Sequence, residues 1–228
     1  MIGLGMPTVP VSLAGDTWEI HASGDSAVTT YPSDIADGDL ALFCSGSDVA
    51  AYRDPTGATR IKGAYTTWST GSGKSVVNHS SYATASWREC STADADVAFG
   101  NTSGLIDREF VILRRSTQPT SSSVSTVGPQ LSTNGVSTTV DFTAETTPMC
   151  VGLVHALART GGSITAPAVT WDGISPTYSF SAHGDSDRSM VEIDLNLELV
   201  DAVTRNLSVA TTTATTRKWQ PFTPASTL

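Results

Sequence analysis

Charged and aromatic residues are scarce in this sequence, and it contains no long apolar run. Of its 228 residues, 15% are charged and 7% are aromatic, whereas globular domains usually carry about 25% charged residues. No apolar run approaches the ~18 residues needed to span a bilayer, so the sequence predicts no membrane insertion. Because Val, Ile, Leu, Phe and Trp are spread along the whole chain, it predicts a folded core rather than disorder.

Cysteines are few, odd in number and far apart. Cys44, Cys90 and Cys150 each lie in an apolar, strand-like context. Their spacing fits neither a disulfide framework nor a zinc site, and a free cysteine commonly behaves as a small buried apolar residue. The sequence therefore predicts structural thiols.

Basic residues are absent from the first part of the chain. Residues 1–52 contain seven acidic residues, and the first basic residue is Arg53, so this segment contributes −7 to the net charge of −9. Nucleic acids and anionic membranes require a basic patch, which argues against both as partners. The acidic segment favours a role in solubility, with docking to a basic partner as the alternative. The start also lacks the positively charged region of a secretory signal, which predicts synthesis without export.

Serine and threonine are abundant, with 62 of the 228 residues, and helical periodicity is almost absent. Short runs rich in Val, Thr, Leu and aromatic residues recur between Gly, Pro, Asp and Asn clusters, a pattern typical of β-sandwiches and barrels. The sequence therefore predicts an all-β protein. The predicted strands are 39–45, 61–68, 75–78, 84–90, 96–100, 108–115, 138–144, 150–158, 168–171, 177–182, 190–200 and 206–212.

The clearest strand signal is the strict alternation of apolar and polar residues over 190–199, which predicts an antiparallel strand with one solvated face. Turns are predicted at 54–57 and at Asn134-Gly135. The segment 70–75 contains half of a phosphate-binding loop, but Trp68 stands where that motif needs glycine. We therefore interpret 71–73 as a hairpin loop rather than a nucleotide site.

No group of residues predicts catalysis or a bound metal. The four histidines are tens of residues apart and lack the spacing of metal ligands. The acidic stretches at 94–96 and 183–187 lack the 12-residue pattern of a calcium loop, so we interpret them as solvated turns. Glu192 and Asp194 belong to a regular polar strand face rather than to a glycosidase pair. The sequence thus predicts a non-enzymatic protein with no cofactor and no metal.

Two tyrosines are candidate glycan-contacting residues. Tyr65 and Tyr82 lie in the loop-rich region 61–87. Exposed aromatic rings there would stack on a sugar, as they do in lectin-like sites.

Three aromatic residues in the terminal segments are candidate interface residues. Trp18 follows two prolines near the start, and Trp219 and Phe222 lie among prolines near the end. Large apolar side chains on extended termini stay partly wet in a monomer, so we expect Trp18, Trp219 and Phe222 at a subunit interface. Packing within the same chain is the alternative.

Several segments together resemble a known family. The run 36–43, a Pro/Gly loop and the strand 107–115 look like the first half of a jelly-roll sandwich that is common in tailed-bacteriophage virion proteins. The second half is similar in the order of 148–155, 166–171, 190–199 and 206–211. The resemblance is one of residue types rather than of signature motifs, and it covers roughly residues 30–215.

The resemblance implies an antiparallel jelly-roll β-sandwich over 25–212, an extended N-terminal arm at 1–24 as a candidate particle anchor, and an extended tail at 213–228. Such domains are similar in fold to carbohydrate-binding modules and serve as tail-fibre, baseplate or head-decoration components, usually as homo-oligomers. They bring no catalytic residues. The expected function is a structural component of the virion that contacts other virion proteins, copies of itself and host surface glycans. A free carbohydrate-binding module and a hydrolase are the alternatives.

Overall fold

The structure, a computed structural model, describes an all-β chain with antiparallel strand pairing. The described residues are 18–25, 28–47, 51–70, 73–74, 77–94, 96–98, 105–117, 119–126, 131–143, 149–157, 168–171, 178–183, 189–196 and 204–227. These residues form fourteen strands and no helix. Within them, accordingly, no helix could cross a membrane.

Seven strands come from the first half of the chain. They are β1 (Trp18–Asp25), β2 (Val28–Thr30), β3 (Leu40–Ser47), β4 (Thr59–Thr70), β5 (Val77–Glu89), β6 (Asp96–Ala98) and β7 (Leu105–Arg115). Five of them form one sheet in the order β1-β7-β3-β5-β4, and β2 pairs with β6.

The other seven strands come from the second half. They are β8 (Ser121–Thr126), β9 (Leu131–Thr143), β10 (Met149–Leu157), β11 (Ala168–Trp171), β12 (Tyr178–His183), β13 (Ser189–Asn196) and β14 (Thr204–Thr227). They form a second sheet in the order β11-β14-β10-β13-β12, and β8 and β9 also pair with β14. Strands β10, β13 and β14 lie against β3, β4 and β5 of the first sheet.

The central strand β3 is buried on both faces. All eight of its residues are buried, as its continuous apolar run predicts. Because side chains alternate along a strand, Leu40, Leu42 and Cys44 enter one core and Ala41 and Phe43 the other.

The first core lies between the two sheets, because Phe222 of β14 and Val124 of β8 pack into it from the second sheet. Its buried members are Trp18, Leu40, Leu42, Cys44, Ala64, Ala83, Ala85, Val111, Leu113 and Phe222. The second core lies on the opposite face of the first sheet, where the segment before β3 covers it. Its buried members are Tyr31, Ile35, Ala41, Phe43, Cys90, Phe110 and Ile112.

Every predicted strand overlaps an observed one, although 75–78 and 84–90 are parts of the single strand β5. The strands on either side of the hairpin loop predicted at 71–73 pair antiparallel as that prediction requires, with Thr70 of β4 opposite Val77 of β5; residues 71 and 72 lie outside the described residues. The structural-thiol prediction is confirmed for Cys44 and Cys90, which are buried thiols rather than halves of a disulfide. The side chain of Cys150 lies outside the described residues.

Two turn predictions need correction. Asn134-Gly135 is not a hairpin turn, because both residues lie within β9 and pair with Thr216 and Thr215 of β14. The turn predicted at 54–57 is displaced by one residue. The Ala58 amide donates to the Pro55 carbonyl at 3.1 Å, and Gly57 occupies the third position with φ +77°, as a type II turn requires.

The predicted arm and tail also need correction. Residues 18–24 belong to β1, which pairs with β7, and 213–227 belong to β14, which continues through pairs with β10 and β8. Both segments are extended, as predicted, but their backbone groups are bonded within the sheets rather than free. Residues 1–17 lie outside the described residues.

Candidate functional site

The two candidate glycan-contacting tyrosines lie side by side. Tyr65 of β4 and Tyr82 of β5 are direct cross-strand partners, so their side chains project from the same face of the sheet. The ring centroids are 5.6 Å apart and the ring planes differ by 17°, a stacked arrangement. Tyr65 is 49% exposed and is the only large apolar side chain among those described that is exposed. The structure therefore brings the two predicted residues together and leaves one ring open to solvent.

A third ring, which the sequence did not predict, completes the group. Tyr52 meets Tyr82 edge-on, with centroids 5.0 Å apart and planes at 84°; we refer to Tyr52, Tyr65 and Tyr82 as the tyrosine cluster. Tyr52 lies over Gly63 so closely that a β-carbon at that position would be 2.7 Å from the ring. Burial raises the pKa of the Tyr52 hydroxyl, so this ring is neutral at ordinary pH. Glycine at 63 thus makes room for the ring that supports Tyr82.

The segment that carries Tyr52 is fastened to the first sheet by hydroxyl groups. The Thr84 hydroxyl donates to the Arg53 carbonyl at 3.1 Å, and Ser45 Oγ contacts the same carbonyl. Ser45 Oγ and Thr84 Oγ1 also lie 2.7 Å apart, within hydrogen-bond distance of each other. Since Ser45 and Thr84 come from paired strands, the sheet fixes the position of Tyr52 at the edge of the cluster.

Arg60 borders the tyrosine cluster on one side. Its guanidinium carbon lies 4.5 Å from the centre of the Tyr52 ring, within the range of a cation–π interaction. The Asp54 carboxylate accepts a hydrogen bond from Arg60 Nε at 2.9 Å and also contacts Nη2. Arg60 is therefore neutralised by a partner and acts mainly as a support for Tyr52.

Lys218 borders the cluster on another side, and Lys62 lies near Lys218 on the opposite face of β4 from Tyr65. Lys218 of β14 places its Nζ 5.6 Å from the centre of the Tyr65 ring. Lys62 of β4 is 7% exposed, and burial, followed by the charge of Lys218, lowers its pKa. Neither lysine has an ion-pair partner among the residues that the structure describes. The site is therefore both aromatic and cationic, in a protein whose net charge is −9.

The predicted interface residues occupy a different place. Trp18 is 5% exposed and Phe222 is fully buried, and both belong to the core between the two sheets of their own chain. This corrects the expectation of a subunit interface for these two, because β1 and β14 pack their apolar side chains inward. The backbone of Trp219 pairs with Leu153 and Leu131, and its side chain lies outside the described residues.

The acidic stretch at 94–96, weighed as a calcium ligand, has a structural role at Asp94. Its carboxylate accepts hydrogen bonds from the Ser91 amide at 2.8 Å and from Arg88 Nη2 at 2.6 Å. Within the described residues no group of three or more potential metal ligands is present. The side chain of Asp96 and most of the stretch 183–187 lie outside the described residues.

Sequence reasoning missed a charged network around Arg114 of β7. This network lies toward the other edge of the first sheet from β4 and β5, the strands that carry Tyr65 and Tyr82. Arg114 Nη1 donates to Asp34 at 3.1 Å, and His21 Nε2 lies 3.0 Å from the other oxygen of the same carboxylate. Hydrogen bonds from His21 and then from Arg114 lower the pKa of Asp34. The acids of the N-terminal segment that looked available to a basic partner are thus partly neutralised within the chain.

Comparison of the chain with protein-family models, with curated protein sequences and with solved structures finds no match. The function is therefore argued from the tyrosine cluster and its surroundings, together with the resemblance described above.

Proposed function

We propose that the tyrosine cluster binds a saccharide, and that the protein is a non-enzymatic component of a tailed-bacteriophage virion that presents this site to host surface glycans. The observation that carries the proposal is the exposed Tyr65 ring stacked on Tyr82. An aromatic face of this kind offers apolar area together with a polar hydroxyl, which suits the C–H face and hydroxyls of a sugar ring.

The rigidity of the cluster supports a binding role. Tyr65 lies on a regular strand, its stacking partner lies on the neighbouring strand, and Tyr52 packs edge-on against that partner. A ring held by its neighbours loses little side-chain entropy when a ligand binds. A lone exposed tyrosine on a loop would lack this advantage.

The fold adds support of a general kind. We infer that the two sheets form a β-sandwich, because apolar side chains from both enter one core. The first sheet is built from β1, β3, β4, β5 and β7 and the second from β8 to β14, so the chain completes one sheet before it begins the other. A jelly roll interleaves its two sheets along the chain, and the segregated order therefore favours a simpler sandwich than the family resemblance implies.

A non-enzymatic role is supported by the partners of the described carboxylates. Asp39 binds Arg114, Asp94 binds Arg88, and Asp54 binds Arg60. Glu89 accepts a hydrogen bond from the Ser122 amide at 2.9 Å. Carboxylates committed in this way hold the fold together and are poorly placed to act as an acid–base pair.

Saccharide binding can be tested with the full-length protein on a panel of neutral and charged glycans. We expect Tyr65→Ala to reduce the affinity for every ligand found by about fivefold, since an aromatic contact of this size contributes on the order of 1 kcal/mol. Thr67→Ala is the matched control, because Thr67 is exposed two residues further along the same strand. Binding that survives in Tyr65→Ala would place the site elsewhere.

If the protein is instead a free carbohydrate-binding module, it should have the same saccharide affinity but should not be part of a virus particle. Mass spectrometry and immunogold labelling of particles purified from the source organism would distinguish the two, because a virion component must be present at a fixed copy number. Deletion of 1–17 tests the anchor, since it leaves Trp18 and β1 intact. We expect the truncated chain to bind saccharide but to be absent from particles.

We also propose that the protein self-associates, but for a different reason than the aromatic residues of its terminal segments. Trp18 and Phe222 no longer supply an interface, because their own chain buries them. What favours association is the scarcity of charge, at 15% of residues, since uncharged faces dock without desolvating ions. Sedimentation equilibrium of the full chain measures it directly, and a monomer at virion-like concentrations would exclude a homo-oligomer.

A further inference from the structure

We infer that the ligand of the tyrosine cluster is an anionic saccharide, one that carries a carboxylate or a sulfate beside the ring that stacks on Tyr65. This inference rests on the proposed function and names the class of ligand for the same site. It is carried by the position of Lys218 next to the exposed ring, with Lys62 as a second lysine near Lys218.

Lys218 is placed to meet a charged substituent. Its Nζ lies 5.6 Å from the centre of the Tyr65 ring, so a sugar stacked on that ring would come within reach of the ammonium group. The residue is contributed by β14 of the second sheet and Tyr65 by β4 of the first. The site is thus formed where the two sheets meet, and its charge and its aromatic face come from different halves of the chain.

Lys62 adds a second uncompensated charge. It is buried to 7% exposure, close enough to Lys218 for the two charges to oppose each other. Buried charges are usually paired, yet within the described residues neither lysine forms an ion pair, whereas Arg60, Arg88 and Arg114 all do. An anion bound at Lys218 would offset the repulsion between the two ammonium groups and supply the partner that Lys218 lacks.

The alternative for this lysine pair is a purely structural role. Lys218 would then serve to cover Tyr65 through the cation–π contact, and Lys62 to line the sheet edge with its aliphatic stem. That role requires no second lysine near the first, and it gains nothing from the mutual repulsion. A neutral ligand would likewise leave both charges unpaired.

The test uses the full chain on matched glycan pairs that differ only in charge: sialylated and unsialylated, sulfated and unsulfated, and oligouronates with their methyl esters. The variants are Lys218→Met and Lys62→Met, which keep the apolar stem, with Tyr65→Ala as the reference. Lys74→Met, at an exposed position in the β4–β5 connection, is the control for a general loss of positive charge. Thermal melts establish whether each variant is folded. If Lys62→Met does not fold, Lys218→Met alone is sufficient for the test.

We expect the anionic member of a pair to bind at least about tenfold more tightly than its neutral partner, because hydrogen bonds to charged groups are roughly twice as strong as neutral ones. Lys218→Met should abolish that difference, Lys74→Met should preserve it, and added salt should reduce it. Equal binding of both members, lost only in Tyr65→Ala, would overturn this inference and leave saccharide binding intact. Equal losses in Lys74→Met and Lys218→Met would also overturn it. Failure of every glycan to bind would overturn both proposals.

Discussion

Two nitrogens of the Arg114 guanidinium donate hydrogen bonds to the carboxylate of Asp39, which lies 75 positions earlier in the chain. Nε lies 3.0 Å from Oδ1 and Nη2 lies 2.6 Å from Oδ2. The Asp39 side chain is fully buried, and its Oδ2 also accepts the Ala36 amide at 3.0 Å. The pKa of Arg114 is raised, chiefly by this hydrogen bonding. This pair fixes the segment before β3 to β7, on the face where the second core lies.

The first prediction concerns the loss of that carboxylate. Asp39→Ala leaves the Arg114 charge without its main partner, and breaking a buried pair from one side costs about 3 kcal/mol or more. Urea denaturation should show this decrease in the free energy of unfolding. Asp37→Ala, at an exposed carboxylate two residues earlier that accepts the Thr92 amide, should cost clearly less, because water can replace the contacts of an exposed carboxylate. Equal effects of the two substitutions would show that burial of the pair contributes nothing.

The second prediction concerns acid stability. Hydrogen bonds from His21 and Arg114 hold the pKa of Asp34 below its ordinary 3.8. A carboxylate whose folded-state pKa is depressed stabilises the fold above its unfolded pKa, and this stabilisation is lost as the pH falls through the folded value. Asp34→Asn should therefore melt below the wild type near neutral pH, and the difference should vanish in acid below the ordinary value.

Glu19→Gln is the control for this pH series, because Glu19 is an exposed acid on β1 with no ion pair among the described residues. Its melting profile should parallel that of the wild type. A constant gap between Asp34→Asn and the wild type at every pH would contradict the linkage.

Strand positions were predictable from the sequence because they depend on local patterns. The run Leu40–Ser47 is apolar enough to be recognised as a buried strand, and 168–171 was predicted with its observed bounds. Strands with little apolar character were not predictable in this way. β8, for example, is serine-rich and is held by its pairing with β14, whose paired residues lie about a hundred positions away.

The site was predictable only in part, because only some of its contacts depend on local sequence patterns. Tyr65 and Tyr82 stood out as aromatic residues in a polar region, and the register of β4 and β5 brings them together. Lys218 of the second sheet reaches Tyr65 of the first, and Arg114 reaches Asp39 at the end of the β3–β7 pairing. Such contacts depend on which strands pair and on how the sheets pack, and no periodicity in one segment encodes them.

The third prediction concerns the thiols. Burial is the main cause that raises the pKa of Cys90 to about 12, and Cys44 is fully buried. Since the thiolate is the reactive form, iodoacetamide should leave both residues unmodified in the native protein at mildly alkaline pH and modify both in urea. Peptide mass spectrometry gives the result residue by residue. Rapid native labelling of Cys90 would mean that its core opens readily.

The fourth prediction compares two glycines that share an unusual backbone conformation. Gly38 has φ +85° and Gly57 has φ +77°, so alanine at either position costs about 1–2 kcal/mol in strain. At Gly38 the added β-carbon would also lie 2.6 Å from Pro119, whereas at Gly57 no atom is nearer than 3.9 Å. Gly38→Ala should therefore destabilise the protein clearly more in urea denaturation. Equal losses would mean that the Pro119 segment moves aside without cost.

The fifth prediction tests whether Tyr52 supports the binding surface. In Gly63→Ala the new β-carbon would lie 2.7 Å from the Tyr52 ring, so the ring must leave its place against Tyr82, and saccharide affinity should fall several-fold while the near-ultraviolet tyrosine signal changes. Gly24→Ala is the matched control, because its β-carbon would lie 2.6 Å from the Phe110 ring on β7 instead. Both substitutions overpack a ring and should cost about 1–3 kcal/mol of stability, but only Gly63→Ala should weaken binding. If the two variants bind saccharide equally well, Tyr52 merely covers the sheet, and the binding surface consists of Tyr65 and Tyr82 alone.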